Sequence, residues 1–146
     1  MSNAAASAFE RFKAEVLSNS PTLTDGLWAE DVVVESPFAQ PGRPGRIEGL
    51  AAFRQLAEAG RKQLALRFDG FHDEVVHQTA DPSTVVVEYR LSATSPQTGA
   101  SGTMPFIAVI GVDSDGRINR WREYQDAARM PLPRQDASGT DADDRA

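Results

Sequence analysis

The chain has 146 residues, 40% apolar and 25% charged, with a net charge of −6 and a pI of about 4.9. That length suits one domain around one core, and the acidic balance argues against nucleic acid as the main partner, because phosphate binding needs a basic face. No apolar run approaches the ~20 residues of a membrane span, and the absence of cysteine excludes disulfides, thiolate nucleophiles and cysteine-ligated metals.

The start, "MSNAAASAFERFKAEV", lacks a basic segment followed by an apolar one, so no signal peptide is expected and the reading is cytoplasmic. Phe9, Phe12 and Val16, with Ala5 and Ala8, recur at helical spacing and predict a helix over 4–18. Ser20 as N-cap and Pro21 as first helical residue predict a short second helix, with Leu23, Leu27 and Trp28 on its apolar side. "DVVVESPF" reads as a strand. The loop "AQPGRPGRIEG" follows, and Leu50, Phe53, Leu56, Ala57 and Leu64 mark a third helix over 50–64.

The remainder reads as sheet. "ALRFDGFHDEVVHQT" is a long strand bent near Asp69-Gly70, and "STVVVEYRLSA" is the next. "GTMPFIAVIGV" contains Pro105, which implies a bulge or an edge. The turn "DSDG" then leads into "INRWREYQD". Helices on one face of a mostly antiparallel sheet give an α+β domain over residues 1–130. The polar stretch from 131 to 146 is expected to be a disordered acidic tail.

Three motifs fail on inspection. "PGRPGR" has no Gly-Lys-Ser/Thr and no G-x-G-x-x-G, so a plain loop is favoured over a phosphate cradle. "DSDG" does not complete a calcium loop. His72 and His77 are an odd distance apart, which places them on opposite faces of a regular strand and argues against a shared metal; one of them would still be free to line a cavity. Neither a metal nor a cofactor is expected.

"INRWREYQD" is unusual in its charges. Alternation puts Asn119, Trp121, Glu123 and Gln125 on one face, and Ile118, Arg120, Arg122, Tyr124 and Asp126 on the other. The preceding strand has an uninterrupted apolar set, Gly102, Met104, Phe106, Ala108, Ile110 and Val112, which should face the helices. If the hairpin keeps faces together, Glu123 points inward beside Trp121. Two readings of Glu123 stay open at this point: a structural salt bridge to Arg43, Arg46 or another cation, or a functional carboxyl.

The segments "DVVVESPF…PGRIEGLAAFR", "TADPSTVVVEYRLSATSPQTG" and "FIAVIGVDSDGRINRWREYQD", in this order, resemble the SnoaL-like branch of the nuclear transport factor 2-like superfamily. The resemblance covers residues 5–130. It implies a curved sheet wrapped by about three helices into a cone with an apolar cavity, and a homodimer packed through the sheet. In similar polyketide cyclases and epoxide hydrolases, the acidic residue after the Arg of a "WR-[DE]-Y" motif faces the cavity as a general acid or base; that position is Glu123. The Arg–Asp partners of the epoxide hydrolases fall on Tyr89 and Leu91, so that water-activating triad is absent. The ketosteroid isomerase pattern also cannot be matched residue by residue.

The resemblance projects a cavity lined by Val34, Ser36, Phe38, Tyr89, Leu91, Met104, Phe106, Trp121, Glu123 and Gln125. Glu123 and Tyr89 are the candidate catalytic pair: a desolvated carboxyl to move a proton, and a phenol to bond an enolate-like oxygen. The expected function is cofactor-independent proton-transfer chemistry (cyclisation, isomerisation or dehydration) on a small hydrophobic carbonyl compound. The alternatives are a non-catalytic binding or dimeric accessory domain, and a hydrolase using Glu123 and a water.

Overall fold

Asn3 opens the first helix: its side chain accepts from the Ala6 N–H at 3.0 Å, and α1 runs Ala4–Leu17. This computed structural model describes residues 3–126. The expected acidic tail from 131 onward lies outside the described residues, as does the end of the proposed domain. Helix α2 spans Leu50–Leu64, as its apolar spacing predicts.

Six strands follow in chain order: β1 Trp28–Glu35, β2 Arg46–Glu48, β3 Arg67–Gln78, β4 Thr84–Thr94, β5 Ser101–Val112 and β6 Ile118–Gln125. They form one sheet in the order β2-β1-β6-β5-β4-β3, antiparallel except for the parallel pair β1–β6. Helix α1 packs on β3, β4 and β5, and α2 on β1 and β2. The fold is mixed α+β. β5 pairs with β6 only from Phe106 onward, so Pro105 meets β4 alone, an edge-like position that tolerates its missing N–H.

The expected second helix is absent; among the described residues there are two helices. Residues 20–27 form turns, and the reason is local. The Leu23 N–H donates to Glu58 at 3.0 Å and the Thr24 N–H to Glu15 at 2.7 Å, while the Thr22 N–H takes the Ser20 hydroxyl. Carboxylates from the two real helices replace the carbonyls a helix would have supplied. Trp28 therefore opens β1 instead of ending a helix.

Register shifts interrupt several ladders, one of them between Phe68 and Gly70 where the bend in β3 was expected, and two others overturn the faces that alternation assigns. In β3 the register shifts between His72 and Val75, where Asp73 has a φ of 55°. His72 pairs with Arg90 and His77 with Val86, five residues against four. Both histidines thus lie on the outer face, bonded to Ser92 (3.0 Å) and Glu88 (2.6 Å), not on opposite faces, and neither lines the inner space. Among the described residues no cluster of His, Asp and Glu is arranged to hold a metal. In β6 a shift at Asn119 brings Ile118 inward, fully buried, so alternation holds only from Arg120 on.

The space between α1 and the sheet is filled by rings. Phe9 meets Tyr89 at 5.5 Å, Phe12 meets Trp121 at 4.2 Å, and Trp121 meets Trp28 at 5.8 Å. Each such pair adds roughly 0.5–1.5 kcal/mol beyond its burial. Under α2 the packing is different: none of its residues is fully buried, and Leu56 remains 46% exposed. The helix covers the sheet without filling the gap, and that gap is where the site lies.

Candidate functional site

From Arg120 onward β6 alternates, and Trp121, Glu123 and Gln125 face the helices opposite Ile110, Ala108 and Phe106. Ala108 is the small member of this row and leaves room for a carboxyl. Glu123 is half-buried, and its Oε1 accepts from the Trp121 indole N–H at 3.0 Å. Among the described residues it has no cation partner. Burial pushes its pKa up, and the Trp121 bond pulls against that without cancelling it.

Arg122 and Arg46 are committed to Glu35 on the outer face, and Arg43, at the border of the same cavity, makes no ion pair with Glu123 among the described residues. Glu35 takes Arg122 at 3.3 Å and Arg46 at 2.9 Å. The salt-bridge reading of Glu123 is therefore not what the geometry displays.

Glu123 opens into a cavity of about 340 Å³. Ser36, Phe38 and Gln125 share the sheet-side wall; Ile47 of β2 and Phe53, Leu56, Ala57 and Leu64 of α2 form the apolar wall; Arg43 stands in the loop at its border. Strand β1 ends at Glu35: the Ser36 N–H still bonds the Gly45 carbonyl at 2.9 Å, in line with the Glu35–Arg46 register, and Pro37, with no N–H, stops the ladder there. Ser36 and Phe38 thus reach the cavity from a loop and not from a strand. Phe38 is 70% exposed and edge-on to Tyr124 at 5.5 Å.

The rest of the expected lining divides. Tyr89 and Phe106 are stacked at 5.1 Å and border a separate hollow of about 630 Å³, which Phe38 and Gln125 also border. Tyr89 is 3% exposed, under Phe9, Phe71 and Phe106. Burial first, and the charge of Glu123 second, hold its phenol well above the usual range, so it stays a proton donor. Among the described residues its hydroxyl has no hydrogen-bond partner.

Leu91, Met104 and Trp121 are core residues, and Val34 packs against that core; they support the cavity and do not line it. They were projected as lining because a period-2 reading gives the correct face but not the depth. Sequence reasoning named Arg43 only as a candidate salt-bridge partner of Glu123, and missed Ile47 and the α2 wall. The signal was present: the apolar stripe of α2 had no stated partner, and the "PGRPGR" loop was set aside as a failed phosphate motif.

The sequence profile of the SnoaL-like domain matches residues 9–121. The chain belongs to the SnoaL-like family. Its relatives include the Bacillus subtilis (strain 168) protein YesE, 34% identical over 120 residues, covering 82% of this chain and 80% of YesE. A crystal structure from Bacillus subtilis, provisionally assigned as an isomerase, superposes with a TM-score of 0.76 at 31% identity, over 86% of this chain and 90% of that one. A Xanthomonas campestris pv. campestris structure, provisionally assigned as a polyketide cyclase, gives a TM-score of 0.67 at 22% identity, over 87% and 95% of the two chains. The fold is thus that of the nuclear transport factor 2-like superfamily, with two helices where about three were expected. The SnoaL-like match ends at Trp121, two residues before Glu123. The case for Glu123 accordingly rests on the cavity geometry.

Proposed function

We propose that this SnoaL-like domain is a cofactor-independent enzyme that moves a proton on a small hydrophobic carbonyl compound, with Glu123 as the acid–base group. The observation that carries the reading is the carboxyl of Glu123: inside a largely apolar cavity, bonded to an indole N–H, without an ion-pair partner among the described residues, and with a raised pKa. A carboxyl poised in this way takes a proton from a carbon acid and returns it elsewhere. The C–H electron pair moves into the carbonyl, leaving an enolate-like oxygen. Return of the proton at another carbon is isomerisation. Attack of the enolate carbon on a second carbonyl forms a C–C bond, and the new alkoxide recovers the proton from Glu123.

Tyr89 borders the adjoining hollow, which shares Phe38 and Gln125 with the Glu123 cavity, and is the proposed hydrogen-bond donor for a substrate whose carbonyl oxygen reaches past Gln125 into that hollow; Ser36 and Gln125 orient the substrate. The isomerase and polyketide cyclase assignments of the similar structures fit this reaction class. The same reading includes a homodimer through the outer face of the sheet, supported by Ile107 and Val75, 43% and 46% exposed there.

The test does not need the natural substrate. A panel of apolar ketones and diketones is incubated with the protein in deuterated water, and deuterium uptake at carbon is read by NMR. The wild type should accelerate uptake and Glu123→Gln should not. Equal uptake by both would remove Glu123 from the chemistry. A second reading, binding without turnover, is favoured by the burial of Tyr89, which leaves the 340 Å³ cavity with one acid–base side chain in its lining. Tight binding of a ketone with no exchange by the wild type would decide for it.

A further inference from the structure

We propose that the cavity takes an amphiphilic carboxylate, and that Arg43 holds the carboxylate group at its border. The inference rests on the Glu123 cavity as the ligand site and names the class of molecule that fits it.

Arg43, in the loop between β1 and β2, and Arg46, the first residue of β2, have different fates. Arg46 is committed, with Nη1 at 2.9 Å from Glu35 and Nε at 2.8 Å from Glu48. Arg43 lines the cavity, and among the described residues it has neither an ion pair nor a side-chain hydrogen bond. A neighbouring hollow of about 490 Å³ on α2 has its own cation, Arg61, and that one is taken: Glu15 sits 2.9 Å away, and the Ser20 and Thr22 carbonyls accept at 3.3 and 3.2 Å. Among the described residues, Arg43 is thus the cation that borders an α2 cavity and lacks a counter-charge.

The surroundings define the ligand. Ile47, Phe53, Leu56 and Leu64 offer a hydrocarbon wall, which selects an apolar body. Arg43, exposed in the loop at the cavity border, offers a guanidinium that can grip a planar anion with two N–H groups, and a carboxylate matches that fork. The one acidic residue in the lining is Glu123, whose raised pKa disfavours the charge that would repel an anion. The head group sits at Arg43, and the apolar body lies along α2 toward Glu123.

The test is calorimetric titration at neutral pH with two probes of one shape, 2-naphthylacetate and the uncharged 2-naphthylacetamide. The wild type should bind the carboxylate at least about fivefold more tightly, the size of one partly screened, charge-assisted contact. Arg43→Gln should erase that preference by weakening the carboxylate alone. Arg43→Lys should keep part of it, since a point charge replaces a fork. Glu123→Gln should keep the preference or strengthen it, since it removes the acidic group from the lining, whatever happens to deuterium exchange, so failure of the proton-transfer reading and failure of this one are distinguishable. Equal affinity of the wild type for the two probes, or a preference that survives Arg43→Gln, would overturn the proposal and leave Arg43 a solvated loop residue.

Discussion

At the scale of single residues, Glu123 is set by three neighbours. Ala108 opposite gives it space, the α2 wall removes water, and Trp121 supplies one donor. A raised folded-state pKa has a thermodynamic signature. Between the unfolded and folded pKa values the native state binds more protons than the unfolded state, so the contribution of Glu123 to stability is full at low pH and is lost as pH rises through the folded pKa. Glu123→Gln removes that loss. Thermal unfolding should show Glu123→Gln more stable than wild type near neutral pH, with the difference shrinking below the ordinary glutamate pKa. A variant that is less stable at neutral pH would indicate that the native carboxylate is charged and well bonded. In the exchange assay, Glu123→Gln should cost ~10²–10⁴-fold, and Tyr89→Phe about tenfold, one hydrogen bond as against the acid–base group.

At the scale of elements, the segment between α1 and β1 shows how tertiary contacts override a local signal. Ser-Pro is a sound helix start, yet Glu15 and Glu58 capture the backbone N–H groups of Thr24 and Leu23. Glu15 is nearly inaccessible and also accepts from the Trp28 indole at 3.2 Å and from Arg61. It ties α1, the turn, β1 and α2 together. Glu15→Ala leaves Arg61 and two N–H donors without their acceptor and should cost about 3–5 kcal/mol in denaturant unfolding. Glu15→Leu with Arg61→Met should recover part of that loss, since it removes the unpaired charge but leaves the Thr24 and Trp28 N–H groups without their acceptor. No recovery would mean that the pair does more than neutralise itself. The same scale explains the histidines. One extra residue at the Asp73 bulge turned a correct parity argument into the wrong face, and bulges leave little trace in sequence.

At the scale of the whole molecule, element type and order were legible because periodicity is strong: α2 and strands β3 to β6 fall where the apolar spacing puts them. β2 was not, since three residues in a Pro-Gly loop carry no period. The inward face of β6 was legible from Trp121 onward, and with it Glu123. Cavity depth was not, because it depends on how far α2 stands from the sheet, which no single segment encodes. The outer face carries its own expectation. Val75, Ile107 and Tyr124 lie in one row across β3, β5 and β6. If copies of the chain associate through it, Ile107→Arg should convert a dimer to a monomer in light scattering; a monomeric wild type would remove the dimer from the account.

The central claim is that Glu123 is a desolvated carboxyl facing an open cavity. Carbon-13 NMR of the glutamate side-chain carboxyls, assigned through Glu123→Gln, measures it directly and requires no substrate. The account predicts that Glu123 titrates above the ordinary glutamate value of about 4.3, and higher still in Trp121→Phe, where the indole donor is lost. A midpoint at or below the ordinary value would show a solvated or cation-paired carboxylate and would contradict the account.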